Sequence, residues 1–113
     1  MVTTEEGRNR RRSDRVALRI PVEIYARAEP YTGSTAVVND DGALVLSPIP
    51  CRLGDLLRMK NLNTGDSALF RVRGARGRTP HWGGFPLGVE IIDGSGPAFW
   101  GPQYRTVAGP RRP

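Results

Sequence analysis

The sequence predicts an all-β domain whose strands close, or nearly close, into a small antiparallel barrel of about six strands. In several short segments apolar residues occupy every second position, which is the period of a half-buried strand. Residues typical of turns separate these segments, and no segment has a helical period. Closure is expected because a closed barrel leaves no unpaired strand edge.

The first strand is predicted over residues 16–24. Its apolar residues fall on one parity: Val16, Leu18, Ile20, Val22 and Ile24. Pro21 lies on the opposite parity and has no backbone N–H, which favours an edge position or a bend. One face of this segment is therefore expected to enter the core.

The rest of the barrel is predicted from shorter segments. Strands are expected at residues 35–39, 43–46, 56–62, 68–73 and 85–92. Turns are expected at residues 31–34, 40–42 and 63–65. Gly42 is expected to adopt a positive φ in its turn. Residues 97–100 are expected to form a short turn whose aromatic side chains cover the barrel.

The chain is expected to contain one folded domain. Residues 1–15 are polar and charged, which predicts a flexible basic arm. The barrel with its C-terminal cap is predicted over residues 16–107, and a disordered tail over residues 108–113. No apolar run approaches the ~20 residues of a membrane-spanning helix. The N-terminus lacks the apolar stretch of a secretory signal, so the expected location is the cytoplasm.

The charge of the chain predicts an anionic partner. The formal net charge is +6, and sixteen of the seventeen basic residues are arginine. The planar guanidinium group binds phosphates and guanine edges through paired hydrogen bonds, and it stacks on bases. A basic chain of this kind favours partners that carry phosphate groups.

The sequence offers little for catalysis or metal binding. Cys51 is the only cysteine and His81 the only histidine, which excludes an internal disulfide and the cysteine-rich or histidine-rich metal sites. There is no phosphate-binding loop of the GxxxxGK type, no paired-carboxylate motif and no workable triad. We therefore predict a binding module rather than an enzyme, with no metal and no cofactor.

Several motifs, in this order, resemble those of the PilZ domain family. Arg11 and Arg15 have the spacing of the family's RxxxR motif, directly before the first strand. The stretch VVNDDG at residues 37–42 aligns with the family's DxSxxG motif. A Gly-Asp pair at residues 54–55 and the closing strand LGVEI at residues 87–91 also match. The resemblance covers residues 8–102.

The second motif departs from the family pattern. Gly42 keeps the glycine, Asn39 stands where the family has serine, and Val37 stands where it has aspartate. Valine cannot accept the guanine hydrogen bonds that the aspartate accepts, whereas asparagine both donates and accepts. Asp40 or Asp41 would replace the carboxylate only in a shifted turn, which we do not expect. Asn39 is open to a second interpretation, as a turn residue that bonds its own backbone.

The resemblance implies a receptor or adaptor for cyclic di-GMP in bacterial second-messenger signalling. Arg11 and Arg15 would be the primary ligand contacts, with Arg10 and Arg12 as further contacts and Asn39 and Gly42 contributing from the turn. The basic arm would fold over the barrel when the ligand binds. A receptor without an output domain would act through a downstream protein partner, which the sequence does not identify.

Two alternatives stay open. Because of Val37, the domain could have lost nucleotide binding and act only through protein–protein contacts. It could also bind nucleic acid non-specifically, which is the less favoured reading and predicts a steep loss of affinity with salt. A second basic cluster, Arg71, Arg73, Arg76 and Arg78, is interpreted as a solvated strand face and loop rather than a phosphate-binding surface.

Overall fold

The computed structural model describes residues 15–26, 29–75, 77 and 84–108. Residues 1–14 of the arm predicted at residues 1–15, including Arg10, Arg11 and Arg12, lie outside the described residues, as do residues 109–113 of the predicted tail. Among the described residues, no helix has both the length and the apolar character needed to cross a membrane.

The fold is a closed antiparallel β-barrel with one additional strand. The strands are β1 (Val16–Ala17), β2 (Pro21–Tyr25), β3 (Pro30–Val38), β4 (Gly42–Ser47), β5 (Leu56–Asn61), β6 (Ser67–Ala75) and β7 (Phe85–Ile91). They follow the order β1-β3-β2-β5-β6-β7-β4, and the further pairing of β3 with β4 closes β2 to β7 into a six-stranded barrel. The predicted fold class is confirmed.

The segment predicted as one long first strand forms two strands. The regular ladder is interrupted at residues 18–20, where two backbone hydrogen bonds to β3 remain and the buried side chain of Thr35 adds two more. The backbone N–H of Ile20 donates to Thr35 Oγ1 at 2.8 Å, and this hydroxyl donates to the carbonyl of Leu18 at 2.5 Å. The predicted parity holds across the break, because Leu18, Ile20, Val22 and Ile24 are all buried.

The turn predicted at residues 31–34 is wrong, because these residues lie inside β3. Gly33 occurs there for a steric reason. A Cβ atom at this position would lie 2.5 Å from the carbonyl oxygen of Leu46, so glycine permits the close approach of β4 to β3.

A 3₁₀ helix at Gly96–Trp100 packs aromatic side chains against the barrel core. Phe99 and Trp100 are buried, and their ring centroids lie 5.2 and 6.0 Å from that of Phe70. Asn61 fixes this helix to the end of β5, because its Nδ2 donates to the carbonyl of Phe99 at 2.9 Å. The aromatic residues therefore lie where the sequence places the cap.

Helix α1 (Pro102–Ala108) was not expected from the sequence. It has seven residues, too few to display a helical period of apolar positions. Its buried Tyr104 faces the β3–β4 turn. The sequence predicts that the tail begins at Ala108, whereas Ala108 is the last residue of this helix.

Candidate functional site

An open groove of about 840 Å³ runs along the outside of the barrel beside the β3–β4 turn. Ligand pockets in proteins commonly have volumes of ~300–1,000 Å³. The polar and charged side chains that line the groove come from four parts of the chain: Arg15, Asn39 and Asp41, Arg73, and Glu90. Val37 is one of the apolar residues that also line it. Three of the predicted site residues, Arg15, Asn39 and Gly42, therefore share one groove.

Strand β1 brings Arg15 to the groove. This two-residue strand pairs with the end of β3, with Val16 opposite Val38. The pairing places Arg15, which directly precedes β1, next to Asn39, which directly follows β3. The Arg15 side chain is exposed, so its guanidinium group is accessible to a ligand.

Asn39 holds the turn together through its own backbone contacts. Its Oδ1 accepts hydrogen bonds from the backbone N–H groups of Asp41 at 2.9 Å and Gly42 at 2.8 Å. The backbone N–H of Asn39 donates to the carbonyl of Gly42 at 2.9 Å. This is the side-chain turn motif that asparagine favours. The interpretation of Asn39 as a turn residue thus describes its observed contacts, and a contact with ligand stays a prediction.

Gly42 is needed for close packing rather than for an unusual φ. The predicted positive φ is wrong, since the glycines with positive φ lie elsewhere in the chain. A Cβ atom on Gly42 would lie 2.1 Å from the carbonyl oxygen of Val89, a contact that no side chain tolerates. Glycine therefore allows β4 to pair with β7 at this edge of the groove.

Asp40 points away from the groove and ties the turn to helix α1. Both Asp40 and Tyr104 are buried, and the Tyr104 hydroxyl donates to Asp40 Oδ1 at 2.7 Å. The turn is thus held on its inner side by α1 and internally by Asn39. Asp40 is not placed to supply a carboxylate to the groove.

A pair of oppositely charged side chains lines the groove on β6 and β7. The register of these strands shifts between Val72 and Gly74, so Arg73 lies in a bulge. Arg73 Nε donates to Glu90 Oε1 at 2.6 Å, and the two side chains are 60% and 43% exposed. Both groups therefore keep part of their hydrogen-bonding capacity for a ligand.

Sequence reasoning missed this pair. Arg73 was interpreted as part of a solvated face, and Glu90 was not considered as a site residue. The alternation of β7 contains a signal, since Leu87 and Val89 face inward and Glu90 therefore faces outward. Arg71 of the same basic cluster does not line the groove, and its Nη1 donates to the carbonyl of Gly54 at 3.3 Å. Arg76 and Arg78 lie outside the described residues.

The described residues contain no cluster of three or more histidine, cysteine, aspartate or glutamate side chains that could hold a metal ion. Cys51 is half-buried and forms no disulfide, and His81 lies outside the described residues. Most residues that line the groove are apolar or glycine, and the arginine, carboxylate and amide side chains are set among them around a solvent-open space.

A closed β-barrel with a solvent-open groove that carries two arginines defines a small binding module. A model of the PilZ domain matches residues 9–98, and the chain belongs to the PilZ domain family. The match includes the predicted arm motif, the turn and the Arg73–Glu90 pair, and it ends before helix α1. The search of curated proteins found no match. Membership supports a cyclic di-GMP-binding or adaptor module in general terms.

Proposed function

We propose that this chain is a cyclic di-GMP receptor that binds its ligand in the groove beside the β3–β4 turn. The observation that carries the proposal is the meeting of the two family motifs in one open groove. Arg15, the last residue of RxxxR, lies beside Asn39 and Gly42 of the second motif, although these segments are separated in sequence. The proposal includes a cytoplasmic location and a downstream protein partner.

The chemistry of the groove suits an anionic nucleotide. Arginine neutralises phosphate and forms a paired contact with guanine O6 and N7. Arg15 is exposed and directly follows the segment that holds Arg10, Arg11 and Arg12. A ligand seated at Arg15 is thus within reach of these arginines when the arm folds over it. Ordering the arm costs conformational entropy, so part of the contact energy is offset.

The turn offers less to guanine than the family motif does. Val37 lines the groove without an acceptor, and the Oδ1 atom of Asn39 already accepts two backbone hydrogen bonds. Loss of one acceptor for a guanine edge costs about 1–3 kcal/mol, roughly tenfold to a hundredfold in affinity. We expect micromolar rather than nanomolar affinity unless another residue supplies the acceptor.

Calorimetric titration tests the proposal. The wild-type protein and the Arg11→Ala/Arg15→Ala variant are titrated with cyclic di-GMP, and GTP serves as a competitor. Arg58→Ala is the control, because Arg58 is an exposed arginine on β5 that does not line the groove. We expect the double variant to lose at least about tenfold in affinity. The control should bind like the wild type.

Three results would contradict the receptor function. Absence of heat from a folded wild-type protein would favour a module that acts only through protein contacts. Equal losses in the Arg58→Ala and arm variants would indicate diffuse charge attraction. Binding to DNA that falls steeply with salt, with no preference for the cyclic dinucleotide, would indicate a nucleic-acid-binding barrel.

A further inference from the structure

We propose that Glu90, positioned by Arg73, is the acceptor for the N1–H and N2–H donors of a guanine base in the groove. The inference rests on the proposed function and assigns a specificity-determining residue to it. In this chain the carboxylate that reads guanine would come from β7 instead of from the β3–β4 turn.

In the turn only Asp41 brings a carboxylate to the groove, and the position of the family's aspartate is occupied by Val37. Val37 has no polar atom in its side chain, and Asn39 Oδ1 is engaged by the backbone of Asp41 and Gly42. Asp40 is buried and accepts a hydrogen bond from Tyr104. Val37 and Asn39 thus leave a guanine in the groove without an acceptor, and its unpaired N–H donors would lose their hydrogen bonds with water. The carboxylates that line the groove are Asp41 and Glu90, and Arg73 holds Glu90 in a defined orientation.

Glu90 lies directly beside the turn. In the β4–β7 ladder Glu90 is opposite Gly42, the last residue of the motif. A Cβ atom on Gly42 would be 3.2 Å from the Cα atom of Glu90, which shows how closely the two backbones approach. The Glu90 side chain lines the same groove and is 43% exposed. Glu90 and Val37, which occupies the position of the family's aspartate, therefore line the same groove from the two strands that flank β4.

Arg73 restricts the orientation of this carboxylate. Its Nε atom holds Oε1 of Glu90 at 2.6 Å. A carboxylate has two oxygens with about four acceptor sites, so Glu90 can still accept from the neighbouring N1–H and N2–H groups of one guanine. Arg73 also balances the negative charge of Glu90, which reduces repulsion between this carboxylate and the phosphates of the ligand.

The experiment compares two ligands that differ in one donor. Cyclic di-GMP and the analogous cyclic dinucleotide with hypoxanthine bases, which lack the N2 amino group, are titrated into wild-type protein and Glu90→Gln. Glutamine keeps the size and an acceptor for Arg73 but places an N–H₂ group where guanine requires an acceptor. We expect a roughly tenfold to hundredfold loss for cyclic di-GMP and a clearly smaller loss for the hypoxanthine analogue.

Matched variants separate Glu90 from general charge effects. Glu29→Gln removes the same charge from an exposed residue that does not line the groove, and it should leave both affinities unchanged. Arg73→Ala should reduce the preference for guanine over hypoxanthine, because an unrestrained Glu90 no longer presents both oxygens in a fixed direction. A purely structural role of Arg73 would not change this ratio. Thermal unfolding of each variant checks that the barrel is intact.

The outcomes distinguish this inference from the proposed function. If the wild type binds cyclic di-GMP and Glu90→Gln binds it equally well, Glu90 is not the acceptor, although the receptor function stands. If Asp41→Asn loses affinity while Glu90→Gln does not, the acceptor is Asp41, which also lines the groove. If the folded wild type binds neither ligand, both proposals are wrong.

Discussion

The turn at residues 39–42 and the Arg73–Glu90 pair line the same groove, but their polar atoms have different partners. In the turn, Asn39 Oδ1 is bonded to the backbone, and Asp40 is bonded to Tyr104 on the inner side. In the pair, Arg73 and Glu90 share one short contact and stay 60% and 43% exposed. The turn is thus held by the protein itself, whereas the pair keeps donors and acceptors that face solvent.

This difference indicates how recognition can be divided within one groove. A turn whose polar atoms are bonded internally provides a rigid shape, because any movement breaks several hydrogen bonds at once. Side chains with remaining hydrogen-bonding capacity provide the chemistry, because a ligand exchanges only water for its contacts. In this chain the β3–β4 turn provides the rigid shape, and the neighbouring strands β6 and β7 provide the side chains that can contact a ligand.

The largest loss of stability is expected from a substitution that disrupts the turn side of the groove. Gly42→Ala would place a methyl group 2.1 Å from the carbonyl oxygen of Val89, and a backbone atom cannot move aside as a side chain can. We expect a loss of about 3 kcal/mol in the free energy of unfolding, at the upper end of overpacking costs. Urea denaturation measures this difference.

The control for this substitution lies beside the charged pair. Gly74 also lines the groove, but a Cβ atom there would meet nothing within 4 Å. Gly74→Ala should change the stability by less than about 1 kcal/mol. Similar losses in the two variants would show that the close approach of β4 and β7 at Gly42 does not limit the substitution.

A smaller effect is expected from the contact between the turn and helix α1. Tyr104→Phe removes the hydroxyl that donates to Asp40 at 2.7 Å in a buried location. Removing a hydrogen-bond donor from a buried carboxylate costs about 1–3 kcal/mol. Thermal and urea unfolding should therefore show clear destabilisation.

Tyr25→Phe provides the matched control. Tyr25 is 37% exposed, and its hydroxyl bonds the neighbouring Glu23 at the surface. Its removal should cost less than about 0.5 kcal/mol. If Tyr104→Phe is as harmless as this control, α1 does not stabilise the turn, and the rigidity attributed to the turn rests on Asn39 alone.

Much of the barrel follows from the sequence because burial in a barrel imposes a period of two. That period placed Leu18, Ile20, Val22 and Ile24 in the core, although the ladder is interrupted between β1 and β2. The two glycines gave a weaker signal. In the sequence Gly33 and Gly42 both suggest a turn. In the structure each must be glycine because a side chain would collide with a carbonyl oxygen of a neighbouring strand. Such contacts depend on which strands pair, and local sequence does not encode that.

The groove was harder to predict for the same reason. Arg15, Asn39 and Gly42 were expected at the site because motifs mark them in the sequence. No motif marks Arg73 as a ligand contact, and Glu90 lies in the closing strand LGVEI, which the family resemblance uses only as a strand. The two side chains meet because β6 and β7 are neighbours and a bulge lies at Arg73. Helix α1 is too short to show a period, so the partner of Asp40 was also hidden.

The smallest expected effect concerns the β6–β7 side and depends on pH. The Oδ1 atom of Asp93 accepts from the Ser95 side chain at 2.6 Å, and Oδ2 accepts from the backbone N–H of Leu69 in β6 at 2.8 Å. The Ser95 hydrogen bond is the main cause that lowers the pKa of Asp93 below its ordinary value of 3.8. The ionised carboxylate therefore stabilises the fold above that value, and this contribution is lost as the pH falls through the lowered pKa of the folded state.

Asp93→Asn should accordingly lower the stability at neutral pH by about 1 kcal/mol or less, because the site is exposed and solvent weakens its interactions. The difference from the wild type should shrink as the pH falls below 3.8. Melting temperatures of both proteins across this range provide the measurement. Asp66→Asn, at an exposed aspartate of the β5–β6 turn, is the control for removal of a surface carboxylate. A constant difference at all pH values would mean that the amide disturbs packing and that the charge of Asp93 contributes nothing to joining β6 and β7. The contact between Asp93 and β6 would then rest on the geometry of its hydrogen bonds and not on its charge.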